Sequence, residues 1–280
     1  MEWVIGGTTV KLISAGTFLD DASMFFPREA VATGYRPPDQ LTLALNCLLI
    51  QSGSKRILVD TGFGDKPGDV DDVQFSTDSR RLVEELRALG GPQSIDVVIN
   101  THLHADHCGG NTKLMDGTVQ PTYPRAEYWA QRAEWREGLR LTDWRRALYR
   151  SENVEPVERA GHMRWLNGST QVTAEVRCVI APGHTSRHQY VEVSDGQRSL
   201  LFLGDVAPTW HHMEQPWLPS NVDLDPNVSA HTRRDLCGKA IAESSLVILT
   251  HEACPGCILT SECTEQEFRF VPVAKHIITA

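Results

Sequence analysis

A run of four titratable side chains is the strongest chemical signal in this sequence. His102, His104, Asp106 and His107 come directly after the apolar segment Asp96–Asn100. On an extended backbone, residues two apart point to the same side, so His102 and His104 can hold one ion together. Gly109 and Gly110 follow and allow the chain to turn, so that Asp106 and His107 can face a second ion. Burying four such groups without a metal would be costly, and the segment therefore predicts a metal site.

Three further candidate ligands stand far from this run, each of them after an apolar segment. They are His184, Asp205 and His251. In layered α/β folds, residues at strand ends gather along one edge and build the site. We therefore expect all seven side chains to meet. Imidazole and carboxylate donors suit zinc, iron, manganese or cobalt, and the donor types alone do not choose among these metals.

The elements that must position these residues alternate along the chain. Two apolar runs joined by a Gly-containing turn predict a hairpin, and later apolar runs alternate with stretches of helical character. The predicted strands are Val10–Ala15, Leu41–Gln51, Arg56–Asp60, Asp96–Asn100, Val172–Ile180, Gln189–Val193, Ser199–Leu203 and Leu246–Thr250. The predicted helices are Thr77–Leu89, most of Tyr128–Tyr149, and Ser229–Glu243. This order favours an α/β fold with helices outside mixed sheets.

Composition limits the class of protein. The chain has 280 residues, 41% of them hydrophobic, and we expect residues 1–280 to form a single domain. The formal net charge of −9 argues against nucleic acid and anionic membranes as partners. The amino terminus lacks the pattern of a secretory signal, and no apolar run is long enough to span a membrane, so we expect a cytoplasmic protein.

Cysteine usage agrees with that compartment. The seven cysteines are an odd number, scattered through a long chain, which argues against a disulfide framework. Cys254 and Cys257 form a lone C-x-x-C pair, and a zinc ribbon needs two such pairs. We predict that they are ordinary reduced thiols.

The seven candidate ligands, in their order along the chain, resemble those of the metallo-β-lactamase superfamily. The segment Leu58–Gly62 is also similar to the superfamily's upstream strand, whose aspartate supports the metal site from behind; here that residue is Asp60. The resemblance covers about residues 10 to 260. It implies a four-layer αββα sandwich, with two mixed β-sheets between outer helices and a metal-binding core at about residues 41–260.

The same resemblance implies a ligand set and a cofactor. Two divalent metal ions per chain are expected, with zinc favoured over iron, manganese or cobalt. Asp106 would also orient or relay a proton, and a hydroxide between the metals would be the nucleophile. The implied ligands are His102, His104 and His184 for the first ion, Asp106, His107 and His251 for the second, and Asp205 for both.

Within the superfamily, the chain looks closest to the branch of lactonases and methyl parathion hydrolase-like enzymes. The similar features are Asn46, the segment His107–Asn111, the segment Gly204–Val206 and the segment that begins at His251. One position departs from the pattern. Acyl-homoserine lactonases carry a tyrosine three residues after the bridging aspartate, and this chain has Pro208 there.

The expected reaction is hydrolysis of a small ester or lactone. The alternatives are hydrolysis of a phosphotriester at the same site and a non-hydrolytic metal-binding module. Phe25, Trp210 and His212 are the predicted substrate contacts, because aromatic and imidazole groups close to the site suit a small organic substrate. A small molecule is the expected partner, and a homodimer is a further expectation.

Overall fold

The computed structural model describes residues 1–27, 38–66 and 81–253, together with the backbone of residues 258–264 and 267–272. Within these residues, none of the helices combines the length and the apolar character needed to cross a membrane.

Sixteen strands are present in the described residues, and most of them are short. They are β1 (Glu2–Ile5), β2 (Thr8–Asp21), β3 (Gln40–Ser52), β4 (Lys55–Val59), β5 (Val97–Ile99), β6 (Thr112–Met115), β7 (Thr118–Pro121), β8 (Glu127–Gln131), β9 (Met163–Leu166), β10 (Thr170–Gln171), β11 (Val176–Ile180), β12 (Gln189–Ser194), β13 (Ser199–Phe202), β14 (Leu246–Ile248), β15 (Ile258–Thr264) and β16 (Glu267–Pro272).

The helices are short, apart from the last one. They are α1 (Ala22–Phe25), α2 (Arg81–Arg87), α3 (Ala105–Cys108), α4 (Arg132–Gly138), α5 (Ser151–Arg159), α6 (Trp210–Glu214) and α7 (Pro226–Ala242). Asp225 caps α7 by accepting hydrogen bonds from the backbone N–H groups of Asn227 and Val228. Pro226 then occupies the first turn, where its missing N–H costs nothing.

Two seven-stranded sheets form the centre of the molecule. The first has the order β1-β2-β3-β4-β5-β8-β9, and the second runs from β10 to β16 in chain order. Both sheets are mixed. In the first, β4, β5, β8 and β9 pair in parallel, whereas β1 to β4 pair antiparallel. In the second, the pairing of β13 with β14 is parallel.

The packing gives four layers. One apolar cluster joins the facing sides of the two sheets and includes Leu48 and Ile99 from the first and Val191 and Phe202 from the second. A second cluster covers the outer face of the first sheet and includes residues of α2 and α5, and a third joins α7 to the outer face of the second sheet. The expected αββα sandwich is therefore confirmed.

Strand β3 shows how the sequence produces this layering. It is an almost continuous apolar run, as strands covered on both faces require. Leu43, Leu45 and Leu49 belong to the outer cluster of the first sheet, whereas Leu48 and Ile50 face the second sheet. Fully burying a side chain of this kind contributes roughly 1.5–3 kcal/mol.

Most of the predicted elements are present. The hairpin of β3 with β4 is confirmed, and so are the predicted strands that correspond to β12 and β13. The helix predicted at Thr77–Leu89 is observed at Arg81–Arg87, and the first four residues of the predicted range lie outside the described residues. Cys254 and Cys257 also lie outside them.

The helical prediction for Tyr128–Tyr149 is wrong in its first part. Residues Glu127–Gln131 form strand β8, and the helix α4 occupies only Arg132–Gly138. Tyr128, Trp129 and Ala130 are buried, and β8 pairs with strands on both sides. The pairing with neighbours far along the chain overrides the local helical composition. A short 3₁₀ helix follows at Trp144–Leu148.

Candidate metal centre

The site begins where strand β5 ends. His104 has an extended backbone and precedes the one-turn helix α3. This change of direction sends His102 and His104 to one side and Asp106 and His107 to the other. All three histidines are buried, whereas the side chain of Asp106 remains 16% exposed.

The first cluster, as we name it, consists of His102, His104 and His184. The Nε2 atom of His184 lies 3.1 Å from Nδ1 of His104. The ring centroid of His102 lies 4.4 Å from that of His104 and 4.8 Å from that of His184. One donor atom from each residue falls within 4.8 Å of the others, which is the spacing of ligands around a single ion.

The second cluster consists of Asp106, His107, Asp205 and His251 and satisfies the same spacing. Oδ1 of Asp205 lies 3.1 Å from Nε2 of His107 and 3.0 Å from Nε2 of His251. Its other oxygen, Oδ2, lies 3.4 Å from Nε2 of His184 in the first cluster. Asp205 therefore faces both clusters, one oxygen towards each.

The donor set suits divalent metal ions. Nε2 of His102, Nε2 of His107 and Oδ1 of Asp205 are fully buried and have no hydrogen-bond partner in the described structure. Buried polar atoms without partners are rare and costly in folded proteins. Several such atoms converging on two points, with imidazole and carboxylate chemistry, match what a pair of transition-metal ions or zinc requires.

Asp60 holds the second cluster from behind. Its Oδ2 accepts from Nδ1 of His107 at 2.8 Å, and its two oxygens also accept from the backbone N–H and the hydroxyl of Thr101. A hydrogen bond at Nδ1 leaves Nε2 of His107 directed at the cluster. Asp60 itself has a left-handed backbone with φ of 57°, a strained conformation for a residue with a side chain.

His251 is oriented by backbone instead of by a carboxylate. Its Nδ1 donates to the carbonyl oxygen of Ala44 at 2.9 Å, which turns Nε2 towards Asp205 and Asp106. Ala44 belongs to β3, so the first sheet positions a ligand supplied by the second.

The two clusters differ in their protonation. Burial lowers the pKa of His104 to about 3 and, with the nearby histidines, puts the pKa of His102 well below its usual range. Both imidazoles are therefore neutral, which is the form that binds metals. Burial also disfavours a charged His107, but the carboxylates of Asp205, Asp106 and Asp60 outweigh it and raise the pKa of His107 well above its usual value. The carboxylates around His107 therefore favour a positive charge in the second cluster.

The sequence and the fold have known counterparts. Residues 42–251 match the model of the metallo-beta-lactamase superfamily, which is most of the chain. The chain belongs to this superfamily. It is thus a metal-dependent hydrolase, and the donor atoms within each of the two clusters are close enough to bind a metal ion.

Individual relatives are similar along most of their length. An N-acyl homoserine lactonase of Bacillus thuringiensis is 24% identical over an alignment 250 positions long, which covers 84% of this chain and 92% of that protein. A probable metal-dependent hydrolase from Staphylococcus aureus superposes with a TM-score of 0.83 at 18% identity, covering 96% of this chain and 98% of that one.

A third relative is a solved structure described as AidC, a dizinc quorum-quenching lactonase, in complex with a product. It superposes with a TM-score of 0.80 at 17% identity, and the match covers 98% of this chain and 97% of that one. At this identity, the likeness supports the shared fold alone.

His188 is a part of the centre that the sequence did not single out. Burial lowers its pKa well below the usual value, and its Nε2 accepts the backbone N–H of Asp205 at 3.1 Å. Gly204 makes this approach possible, because its φ is +56° and a Cβ atom there would lie 2.7 Å from the His188 ring. The spacing of four residues from His184 was the available signal.

Glu134 was also missed. It is buried, and its carboxylate accepts hydrogen bonds from Tyr149 at 2.8 Å and from Thr185 at 2.6 Å. The Tyr149 ring packs edge-on against His104, with centroids 5.0 Å apart. The group therefore supports the first cluster from α4. Glu134, Tyr149 and Thr185 are widely spaced along the chain, and no local sequence pattern predicts their contact.

A cavity of about 280 Å³ opens onto both clusters. His104, Asp106, His184, Asp205 and His251 lie on its floor. Its walls are mainly apolar, and the polar side chains among them belong to four residues. The apolar wall is formed by Phe18, Leu19, Met24, Phe25, Phe63, Trp144, Ala147, Leu148 and Val222, and the polar groups are Asp20, Asp21, Gln40 and Arg150.

The three predicted substrate contacts have different positions. Phe25 lines the cavity, and its ring lies 6.5 Å from that of His251. Trp210 and His212 are not among the lining residues. His212 is buried behind the wall, where its Nε2 donates to the carbonyl oxygen of Phe25 at 3.2 Å. Contact with substrate stays a prediction for all three, and the cavity supports it for Phe25.

The position of the cavity wall at Phe63 is determined by contact between two backbone segments. Gly109, directly after α3, lies so close to the chain at Phe63 that a Cβ atom would sit 1.9 Å from the Phe63 carbonyl oxygen. Gly110 similarly faces the carbonyl oxygen of Thr61. Two backbones in contact leave no room for a side chain here, so the metal-binding loop and the cavity wall have a fixed spacing.

Proposed function

We propose that this protein hydrolyses a small, neutral ester or lactone at a dinuclear metal centre. His102, His104 and His184 would hold the first ion, Asp106, His107 and His251 would hold the second, and Asp205 would contribute to both. In this proposal, residues 1–280 act as one catalytic domain. The observation that carries it is the position of Asp205, whose two oxygens face the two clusters at the floor of a mainly apolar cavity.

The metal ions would supply Lewis acidity when bound, by lowering the pKa of a water and by polarising the scissile carbonyl group. We favour zinc, since the donor set is imidazole and carboxylate; iron, manganese and cobalt are the alternatives.

The side chains of the protein do the rest. Asp60 and the Ala44 carbonyl fix the rings of His107 and His251, so that each presents Nε2 to the centre. Asp106 is partly exposed on the cavity floor, where it orients the attacking water or relays its proton. Phe18, Phe25 and Phe63 exclude bulk water from one side, which strengthens electrostatic interactions at the floor.

The size and lining of the cavity support the choice of substrate class. Binding sites for small molecules usually measure about 300–1,000 Å³, so a cavity of about 280 Å³ suits a small substrate. The walls present aromatic rings and aliphatic side chains, which favour a neutral molecule with an apolar group. The lactonases among the relatives agree with an ester bond of this kind.

The test combines metal analysis with a substrate panel. The protein is purified without chelators, its metal content is measured by mass spectrometry, and turnover is followed with lactones, aryl esters and a paraoxon-like phosphotriester. We expect two metal equivalents per chain and the highest kcat/KM for a lactone or ester. His104→Ala, analysed in parallel, should lose metal and turnover together.

Other outcomes would lead to different conclusions. Turnover of the triester alone would replace the proposed substrate by an organophosphate. Two bound metals with no turnover in the whole panel would favour a metal-binding module without hydrolytic activity. One iron per chain would exclude the dinuclear arrangement.

A further inference from the structure

A buried ion pair lies behind the first cluster. Asp223 and Arg233 are both fully buried, and Nη2 of Arg233 lies 2.5 Å from Oδ2 of Asp223. The other terminal nitrogen of Arg233 donates to the carbonyl oxygen of Leu218 at 2.6 Å. Buried pairs of this kind add little stability compared with well-packed apolar residues, because both charges lose their hydration. The pair therefore suggests a role other than stability.

The second oxygen of Asp223 faces a candidate metal ligand. Oδ1 of Asp223 lies 3.4 Å from Nδ1 of His184, and neither atom has a hydrogen-bond partner in the described structure. On the opposite side of the same ring, Nε2 of His184 faces His104 and Asp205. The imidazole thus stands between a buried carboxylate and the first cluster, as His107 stands between Asp60 and the second.

The chain around Asp223 is fixed to the loop that carries His184. The backbone N–H of Leu224 donates to the carbonyl oxygen of His184 at 3.0 Å, and that of Asp225 donates to Gly183 at 2.9 Å. Arg145 donates to the Asp223 carbonyl oxygen at 3.0 Å. These bonds hold the carboxylate in place relative to the ring, which is what an orienting group needs.

The geometry points to Asp223 as the positioning residue of His184, with Arg233 as its buried counter-ion. In this assignment, Nδ1–H of His184 would point to Oδ1 of Asp223, 3.4 Å away, and Nε2 would keep its lone pair for the first metal ion. A carboxylate in this place also makes the imidazole a better donor. This inference rests on the proposed function, since it assigns His184 to the first ion.

The experiment separates metal binding from folding by a crossed pair of variants. In Asp223→Leu/Arg233→Met both charges are replaced by apolar side chains, so no buried charge is left alone. In Arg233→Met alone, Asp223 keeps its place beside His184 but loses its counter-ion. Each protein and the wild type are dialysed against a graded series of chelator concentrations, the remaining metal is counted, and the thermal midpoint of the metal-free form is recorded.

We expect opposite patterns in the two variants. The double variant should fold with a thermal midpoint near that of the wild type, but one of its two ions should bind roughly 10–100-fold more weakly. Arg233→Met should unfold at a lower temperature, because it buries an unpaired charge, while both ions keep their affinity. If Arg233→Met does not fold, the double variant and the wild type decide the question between them.

Two results would overturn the inference, and they differ from failure of the proposed function. A folded double variant that holds both ions with wild-type affinity would show that Asp223 does not position His184. Equal weakening of both ions would reduce its role to general packing. In either case, a wild-type protein with two metals and hydrolytic turnover leaves the proposed function standing, whereas a wild type without metal removes both.

Discussion

The two clusters of candidate ligands differ in the charge state of their histidines. The first consists of three histidines, and burial lowers the pKa values of His102 and His104, which keeps these two imidazoles neutral. The second includes two carboxylates among its four residues, and there the pKa values of His107 and His251 are raised. A cation entering the first site meets the neutral imidazoles of His102 and His104, whereas one entering the second replaces protons and meets negative charge.

This difference shows that neighbouring sites built from one loop need not be equivalent. The loop after β5 contributes His102 and His104 to one cluster and Asp106 and His107 to the other. Asp60 then adds a further carboxylate behind the second cluster alone. We expect the second site to bind its ion more tightly, and the two sites to respond differently to substitutions and to pH.

The largest effect is expected at Asp205, the residue that faces both clusters. Asp205→Asn keeps the shape of the side chain but removes its charge, so both ions should bind more weakly. Because the proposed reaction needs both ions, we expect kcat/KM for the best ester or lactone to fall by roughly 10³-fold or more. Metal content and steady-state kinetics measure this. Full metal content together with wild-type kinetics would rule out a bridging role.

A smaller and one-sided effect is expected at Asp60. Asp60→Asn weakens the acceptor for Nδ1 of His107, and the ion of the second site should bind roughly 10–100-fold more weakly. Metal titration of the variant, compared with the wild type, gives the affinity of each site. An equal loss at both sites would contradict the separation of the two clusters.

The metal-free protein should show a pH dependence of opposite sign in the two clusters. The pKa of His104 is lowered from 6.5 to about 3, so below pH 6.5 the unfolded chain binds a proton that the folded protein excludes. This residue therefore lowers stability as the pH falls, by at most about 1.4 kcal/mol per pH unit. The pKa of His251 is raised, mainly by Asp205 against the effect of burial, so its contribution is present below pH 6.5 and is lost as the pH rises through the folded-state pKa.

Unfolding by urea between pH 5.5 and 7.5, in the presence of a chelator, tests both signs. We expect His104→Asn to make the protein less sensitive to acid than the wild type. His251→Asn should instead remove stability that is present at the acid end of the range. A change of the same sign in both variants would mean that the clusters do not differ in protonation.

The smallest effects are expected in the cavity wall. Phe25 lies on the side of His251, and Leu148 directly precedes Tyr149, whose ring packs against His104. If the cavity binds the substrate, Phe25→Leu and Leu148→Ala would each remove apolar contact with it, and we expect KM to rise roughly threefold to tenfold with little change in kcat. Trp210→Phe is the matched control, since Trp210 does not line the cavity. A rise of KM in the control alone would move the substrate site towards α6.

The sequence predicted the parts of the centre that follow from local order. The ligands His102 to His107 form a motif, and the strand ends before His184, Asp205 and His251 were recognisable as apolar runs. The residues that orient these side chains could not be recognised from the sequence, apart from Asp60. His188, Glu134 and Asp223 act through contacts between residues far apart in the chain, and of these three only His188, four residues after His184, had a signal in the sequence.

The error at Tyr128–Tyr149 has the same origin. Strand β8 is rich in residues that also occur in helices, and its pairing with β5 and β9 decides its conformation. The later part of the segment supplies Trp144, Ala147 and Leu148 to the cavity wall. This contribution depends on how the 3₁₀ helix lies against the rest of the molecule, which composition does not predict.

The contact between Gly109 and the backbone at Phe63 has a consequence for engineering the protein. A larger residue at Gly109 would push the aromatic wall and the metal-binding loop apart at once, so selectivity and metal retention would change together. The short helix at Trp144–Leu148 borders the same cavity without supplying a ligand. Libraries that aim at new substrates should therefore vary that helix and leave the glycine pair untouched.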